Sequence, residues 1–429
     1  MKVCASLGGC FGGDSGSEAL SGAGGGDTRL PLQAARIMKI NAHLDIPRLA
    51  GRTGRVTPFL AMDVLAAAAA KERRGDSVIH MEVGQPSAPA PRQAREAARA
   101  ALEDGRIGYT EALGLAPLRE RIARHYREAY GVTVAPERVV VTTGSSAGFV
   151  LAFLSLFDPG QRVAITAPGY PAYRNILEAL DLEPATIPLT RAEGWIMTAE
   201  SVARVHAAAP LHGVLAMSPA NPSGAMIPPD ALRELGETCR RLGLWFISDE
   251  IYHGLTYDQS AATALSFDDD AVVINSFSKY YCMTGWRIGW MVVPERIVRP
   301  MERLAQNLYI SPPYLSQVAA LAAFDAGDEL EAVKAGYARN RAMLLEELPR
   351  LGLAEMHPVD GAFYVYADIA RFTNDSIAFC KRLLEEAGVA TTPGVDFDPV
   401  EGAHHMRLSF AGAEADCREA VRRLGAWLR

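Results

Sequence analysis

Lys279 closes the run Asn275-Ser276-Phe277-Ser278-Lys279, and Arg287 follows eight residues on in Gly285-Trp286-Arg287-Ile288-Gly289. The apolar residues 271–275 just before it read as a buried strand, so the amine stands at a strand end. An amine set among two hydroxyls and a guanidinium suits one task well, the holding of a phosphorylated aldehyde. The amine forms an imine while Ser276, Ser278 and Arg287 bind the phosphate. The bland alternative is a surface loop with incidental serine and lysine, and short motifs mislead often enough to keep it open.

Three further strand ends carry polar residues of the kind such a ligand needs. Leu244-Trp245-Phe246-Ile247-Ser248-Asp249-Glu250-Ile251-Tyr252 puts an acidic pair after an apolar run. Ligands bind at the carboxyl ends of parallel strands in open α/β sheets. An aspartate there can keep a pyridine nitrogen protonated, which makes the ring an electron sink, and Tyr252 can reach a ring hydroxyl; the same pair could equally be a helix N-cap. Ser218-Pro219-Ala220-Asn221-Pro222-Ser223-Gly224 is rich in turn formers, yet Asn221 offers an amide toward a ring oxygen. Val141-Thr142-Thr143-Gly144-Ser145-Ser146-Ala147 runs from strand through glycine into helix, where free N–H groups favour an anion. Taken singly, each of these motifs could be only a turn, a cap or a βα turn that binds nothing. Together they supply one lysine, one acid, one amide and one anion cradle.

The elements that must position them alternate along the chain. Short β-branched runs at 138–142, 162–166, 213–217, 244–248, 271–275 and 288–293 are separated by amphipathic stretches such as 114–130 and 228–242. This rhythm predicts a mostly parallel sheet with helices on both faces. Residues 58–74 read as a helix, and Glu82-Val83-Gly84-Gln85-Pro86 as a strand end that turns sharply. Beyond about 325 the pattern changes to a long helix over 327–350, the strand Phe363-Tyr364-Val365-Tyr366, another helix, the strand 405–410 and a terminal helix, which predicts a smaller α+β domain. The expected division is a Gly/Ser-rich extension over 1–37 with no period that could support a core, an arm over 38–80 that joins the small domain, a large ligand-binding domain over 81–325 and a small domain over 326–429.

Composition excludes several classes. A net charge of −7 with interspersed charges gives no basic face for nucleic acid. No apolar run reaches membrane-spanning length. The six cysteines form no CxxC pair, so reduced thiols and a cytoplasmic location are expected and no metal site is read. Adjacent His404 and His405 on a strand would point opposite ways. His253 reads as a structural neighbour of Tyr252, and Trp286 and Trp290 as packing residues.

The order Gly84-Gln85-Pro86, Tyr109 with Gly114, the Gly144 turn, Asn221-Pro222-x-Gly224, Asp249-x-x-Tyr252 and Ser276-x-Ser278-Lys279 with Arg287 resembles the class I/II aminotransferases of pyridoxal-phosphate fold type I, from about residue 50 to the C-terminus. The resemblance implies a large domain with a mostly parallel seven-stranded sheet between helices, plus a small α+β domain. It implies pyridoxal 5'-phosphate (PLP) on Lys279, which would also move the substrate's Cα proton, with Asp249 at the pyridine nitrogen and Asn221 and Tyr252 at the ring oxygen. Ser145, Ser146, Ala147, Ser276, Ser278 and Arg287 would bind phosphate, Tyr170 would stack on the ring, and Tyr109 would reach the phosphate of a neighbouring subunit in a homodimer with shared sites. Gly84, Asn221 and Arg407 would face the substrate, Arg407 gripping its α-carboxylate bidentately.

The implied reaction is ping-pong transfer of an amino group from an L-amino acid to a 2-oxo acid. A C–S lyase or other elimination on the same scaffold is the alternative. A PLP-dependent regulator is less favoured, because no basic DNA-binding module precedes the pattern. Well-known aspartate aminotransferases bind the donor's distal carboxylate with an arginine that corresponds here to Gln306, and a related bacterial group uses a lysine where this chain has Ser146. With Phe59 and Tyr170 nearby, a neutral or aromatic donor is expected.

Overall fold

The computed structural model describes residues 48–429; the extension over 1–37 and the start of the arm lie outside the described residues. Seven strands form the central sheet: β2 (Val139–Thr142), β3 (Arg162–Ala167), β4 (Glu183–Pro188), β5 (Gly213–Met217), β6 (Trp245–Asp249), β7 (Val272–Ser276) and β8 (Gly289–Val292), with β1 (Ile79–His80) preceding them elsewhere. Their order is β2-β8-β7-β6-β5-β3-β4, and only β8 runs antiparallel to its neighbours. The expected mostly parallel sheet is therefore present.

Successive side chains of a strand point to opposite faces. Val139, Val141, Val273 and Trp290 enter one core with helices Ala116–Tyr130, Pro229–Leu242 and Tyr314–Ala323. Val140, Val272, Ile274 and Met291 enter the other with helices Ser145–Leu156, Pro171–Ala179 and Glu295–Leu308. Burial on both faces explains why these strands read as continuous apolar runs rather than alternating ones. The strand absent from the sequence rhythm is β4. It pairs only with β3, so it is an edge strand, where Pro184 and Pro188 are tolerated although they hide the strand signal.

The C-terminal part carries β9 (Tyr364–Asp368), β10 (Val389–Ala390), β11 (Thr392–Pro393) and β12 (His405–Ser409). β12 lies between β11 and β9, with Arg407 opposite Thr392 on one side and Tyr366 on the other. Met406 and Leu408 face a core shared with Tyr337, Leu344, Phe379 and Leu424, which leaves alternate residues Arg407 and Ser409 for the other side. β1 pairs in parallel with β10, and helix Leu60–Arg73 packs Ala68 against Leu384 and Ala390, which fastens the N-terminal arm to this part. Residues Ala50–Arg429 make one compact unit. Among the described residues no helix is long and apolar enough to cross a membrane, and Cys239, Cys282, Cys380 and Cys417 are free and buried.

Candidate active site

The sheet ends converge on one cavity. Gly84, Ser145, Ser146, Tyr170, Asn221, Asp249, Tyr252, Ser278, Lys279, Arg287 and Arg407 all line it. Three expected residues do not. Ser276 sits behind the wall with its hydroxyl 2.9 Å from Ser278 Oγ, so it orients that serine rather than facing the cavity. Ala147 follows the lining serines inside helix Ser145–Leu156 without lining the space itself. Tyr109 is 83% exposed and points outside its own chain's cavity.

One end of the cavity is built for an anion. Ser145 and Ser146 open a helix whose first N–H groups lack intrahelical partners, and Ser278 and Arg287 stand beside them. Gly144 is required there. Its φ is +82°, and a Cβ would come within 2.5 Å of Arg287 Nη2.

The middle holds the amine and the acid. Burial pushes Lys279 down to about 7, helped by Arg407 and Arg287 and opposed by Asp249, so a large share of the amine is neutral near pH 7. Its Nζ donates to Gly84 O at 2.6 Å. Burial raises Asp249 to about 6 against hydrogen bonds from Tyr173 and from Ile251 N at 3.0 Å. A cationic ring nitrogen beside it would favour its charged form.

The sequence could not divide the acidic pair, but the structure does. Glu250 turns away to accept from Ser248, Thr263 and Ala264 N, and burial raises it to about 8, which leaves it mainly protonated at neutral pH. Among the described residues, Asp249 is the only carboxylate in the cavity wall.

At the other end Arg407 is 2% exposed between the rings of Tyr364 and Phe397, 4.5 and 4.6 Å from their centroids. Its Nη1 donates to Asn221 Oδ1 at 2.9 Å, its Nη2 to Glu82 O and Thr392 Oγ1, and its buried Nε has no partner among the described residues. Tyr252 shares a 2.6 Å hydrogen bond with Tyr364. Tyr173 and Tyr364 are contacts that the sequence reading missed. Tyr173 lies on a helix behind Tyr170, and Tyr364 comes from a distant strand, so no local spacing marked either.

A phosphorylated pyridine aldehyde fits this set: a buried amine whose pKa is pushed down to about 7, one carboxylate among the described residues, a polar cradle for phosphate and an orphaned guanidinium nitrogen. Residues 76–424 match the family model described as aminotransferase class I and II. The chain belongs to the class I and II aminotransferases.

This aminotransferase is 49% identical over 385 residues to a valine–pyruvate aminotransferase of Mycobacterium tuberculosis, covering 89% of this chain and 98% of the relative. It is 34% identical to an arginine–pyruvate transaminase of Pseudomonas aeruginosa, covering 85% and 93%. The crystal structure of an aminotransferase from Mycobacterium tuberculosis superposes with a TM-score of 0.87 at 48% identity, covering 89% and 99%. The aminotransferase is thus a PLP-dependent transaminase whose substrates are amino acids and 2-oxo acids. Trp290 is the packing residue the sequence implied, 1% exposed beside Phe277, and His253 is buried against Tyr130.

Proposed function

We propose that this transaminase takes neutral, largely apolar amino acids such as alanine, valine, methionine or an aromatic amino acid as donors. The observation that carries this is the charge inventory of the cavity wall, which among the described residues has three cations. Lys279 is the imine-forming amine, Arg287 belongs to the phosphate cradle and Arg407 to the α-carboxylate. A second, distal carboxylate would find no cation of its own among the described residues of this wall, and burying it unpaired would cost several kcal/mol. Gln306, on helix Glu295–Leu308, is exposed and outside the cavity. The remaining wall includes Phe59, Ala61, Met62, Phe149 and Ile251, which suit an apolar side chain. The name of the valine–pyruvate relative points the same way.

In this reading the bound cofactor supplies the electron sink for the carbanion at the donor's Cα. Lys279 Nζ would take the Cα proton and deliver it to the carbon that carried the aldehyde, a role its depressed pKa suits. Asp249 holds the proton on the ring nitrogen, and Tyr173 and Ile251 N hold Asp249. Asn221 and Tyr252 hold the ring oxygen, and Tyr170 packs on the ring. The phosphate is gripped by the N-terminal groups of Ser145, Ser146 and Ala147 with Ser278 and Arg287, while Ser276 fixes Ser278. Arg407 and the Gly84 segment orient the α-carboxylate. Half-reaction rate constants divided by donor affinity, taken across a panel of amino acids, should rank neutral donors above aspartate. If aspartate leads every neutral donor by tenfold, about 1.4 kcal/mol in the barrier, the charge inventory has been misread.

We infer further that two copies share their sites. Support comes from Tyr109, exposed outside its own cavity, and from exposed Ile107, Leu308 and Ile310, with Thr110 N bonded to Ser311 Oγ between the two segments. Two-fold dimers are the commonest assembly. Mixing inactive Lys279→Ala with a crippled Tyr109→Phe protein should restore part of the activity through hybrid sites; no recovery after verified subunit exchange would rule out Tyr109 acting in trans.

A further inference from the structure

Helix Leu60–Arg73 begins without a side-chain cap of its own, since Phe59 occupies the N-cap position. Its first two N–H groups are taken instead by a residue more than 300 positions away. Leu60 N donates to Asp396 Oδ1 and Ala61 N to Asp396 Oδ2, each at 3.1 Å. Asp396 is 3% exposed, so this bidentate bond is shielded from water, where charge-assisted bonds to a helix N-terminus are strongest. Phe59, Ala61 and Met62, at that helix start, line the cavity, and Phe59 meets Tyr170 edge-on at 5.9 Å.

Asp396 ends the turn Gly394–Asp396 that follows β11, the strand that pairs with β12 at Arg407. Thr392, on β11, accepts from Arg407 Nη2 at 3.2 Å. Phe397, next in sequence after Asp396, lies under the Arg407 guanidinium, and its carbonyl accepts from Gly169 N beside Tyr170. The residue that grips the carboxylate and the residues that meet the donor's side chain thus hang on one short stretch, Thr392–Phe397.

We propose that Asp396 is a positioning residue that latches the Phe59–Met62 wall to the Arg407 platform, so that engagement of the donor's carboxylate sets the wall against its side chain. This rests on the reading of Arg407 as the carboxylate grip. The latch makes carboxylate binding and side-chain selection one event: a donor that draws Arg407 into place also brings Phe59 and Met62 with it. The carboxylate oxygens serve two N–H groups at once, which asparagine can do only by half and alanine not at all.

The test uses the holoenzyme of the wild type, Asp396→Asn and Asp396→Ala, with 3-methylbutanoate as an unreactive carboxylate probe whose binding is read from the cofactor's visible absorbance. Hydrogen exchange of the 60–65 amides should slow when the probe binds the wild type, keep only part of that slowing in Asp396→Asn and lose it in Asp396→Ala. KM for valine should rise about tenfold in Asp396→Ala with kcat changed much less, and the preference for valine over alanine should shrink. Should Asp396→Ala not fold, Asp396→Asn carries the same comparison. Probe-induced slowing that persists unchanged in the variants, or a uniform fall of kcat for all donors with KM unmoved, would overturn the latch. Binding to the wild type without any slowing also overturns it, whereas failure of the probe to bind at all counts against the Arg407 reading, and an aspartate preference in the same donor panel counts only against the neutral-donor reading.

Discussion

Lys279→Ala should lower turnover roughly 10⁴-fold or more, because one substitution removes both the group that forms the imine and the group that moves the Cα proton. The protein should still bind the cofactor through the Ser145–Ser146 helix start, Ser278 and Arg287, since the substitution leaves the phosphate cradle intact. Borohydride should fix the cofactor to Lys279 in the wild type and to no residue in the variant; a label on another lysine sinks the assignment. The pH dependence has a definite sign. Burial lowers the Lys279 pKa to about 7 in the free protein, so its reactive neutral form grows as pH rises through 7. Uptake of pyridoxal phosphate by apoprotein should therefore speed up between about pH 6 and pH 8, far below the range an exposed lysine would need. A rate that climbs only above pH 9 would show that the amine is not held as the structure has it.

Arg407→Lys should cut kcat/KM for the donor about 10²- to 10³-fold, or about 3–4 kcal/mol, with cofactor binding left in place. The lysine keeps a charge but cannot present a planar fork to a carboxylate, and its ammonium would replace a guanidinium packed against the rings of Tyr364 and Phe397. The loss should be similar for small and large donors, since it concerns the group they share. Stopped-flow half-reactions check it, and a variant within fivefold of wild type for alanine would remove Arg407 from substrate binding.

The cofactor-binding half of the site was legible because its residues sit within a few positions of strand ends, where chain direction and an apolar run fix the location of the next side chain. Lys279, Asp249, Asn221 and the Gly144 turn each follow such a run, and parallel strands bring all these ends to one edge. The edge strand β4 escaped because two prolines break its pattern and only one neighbour constrains it. Long-range partners escaped for a different reason. Nothing near Tyr173 announces a bond to Asp249, and Asp396 reads as an ordinary turn residue until the fold carries it to the helix at Leu60. Ser276 stands apart from Ser278 in another way, since the motif counts the two together while in the fold only Ser278 lines the cavity and Ser276 bonds to it from behind.

The residues read as cofactor ligands stand mostly at the ends of β2, β5, β6 and β7, strands buried on both faces, whereas the wall proposed to meet the donor's side chain comes largely from the start of one arm helix. Mutational drift therefore meets two very different landscapes in one pocket. On the proposed reading a change on the sheet disturbs chemistry common to every substrate, while a change at Met62 bears first on which amino acid is welcome and one at Phe59 reaches Tyr170 as well. A lineage built on this scaffold can diversify its diet by editing that single turn, without relearning the reaction.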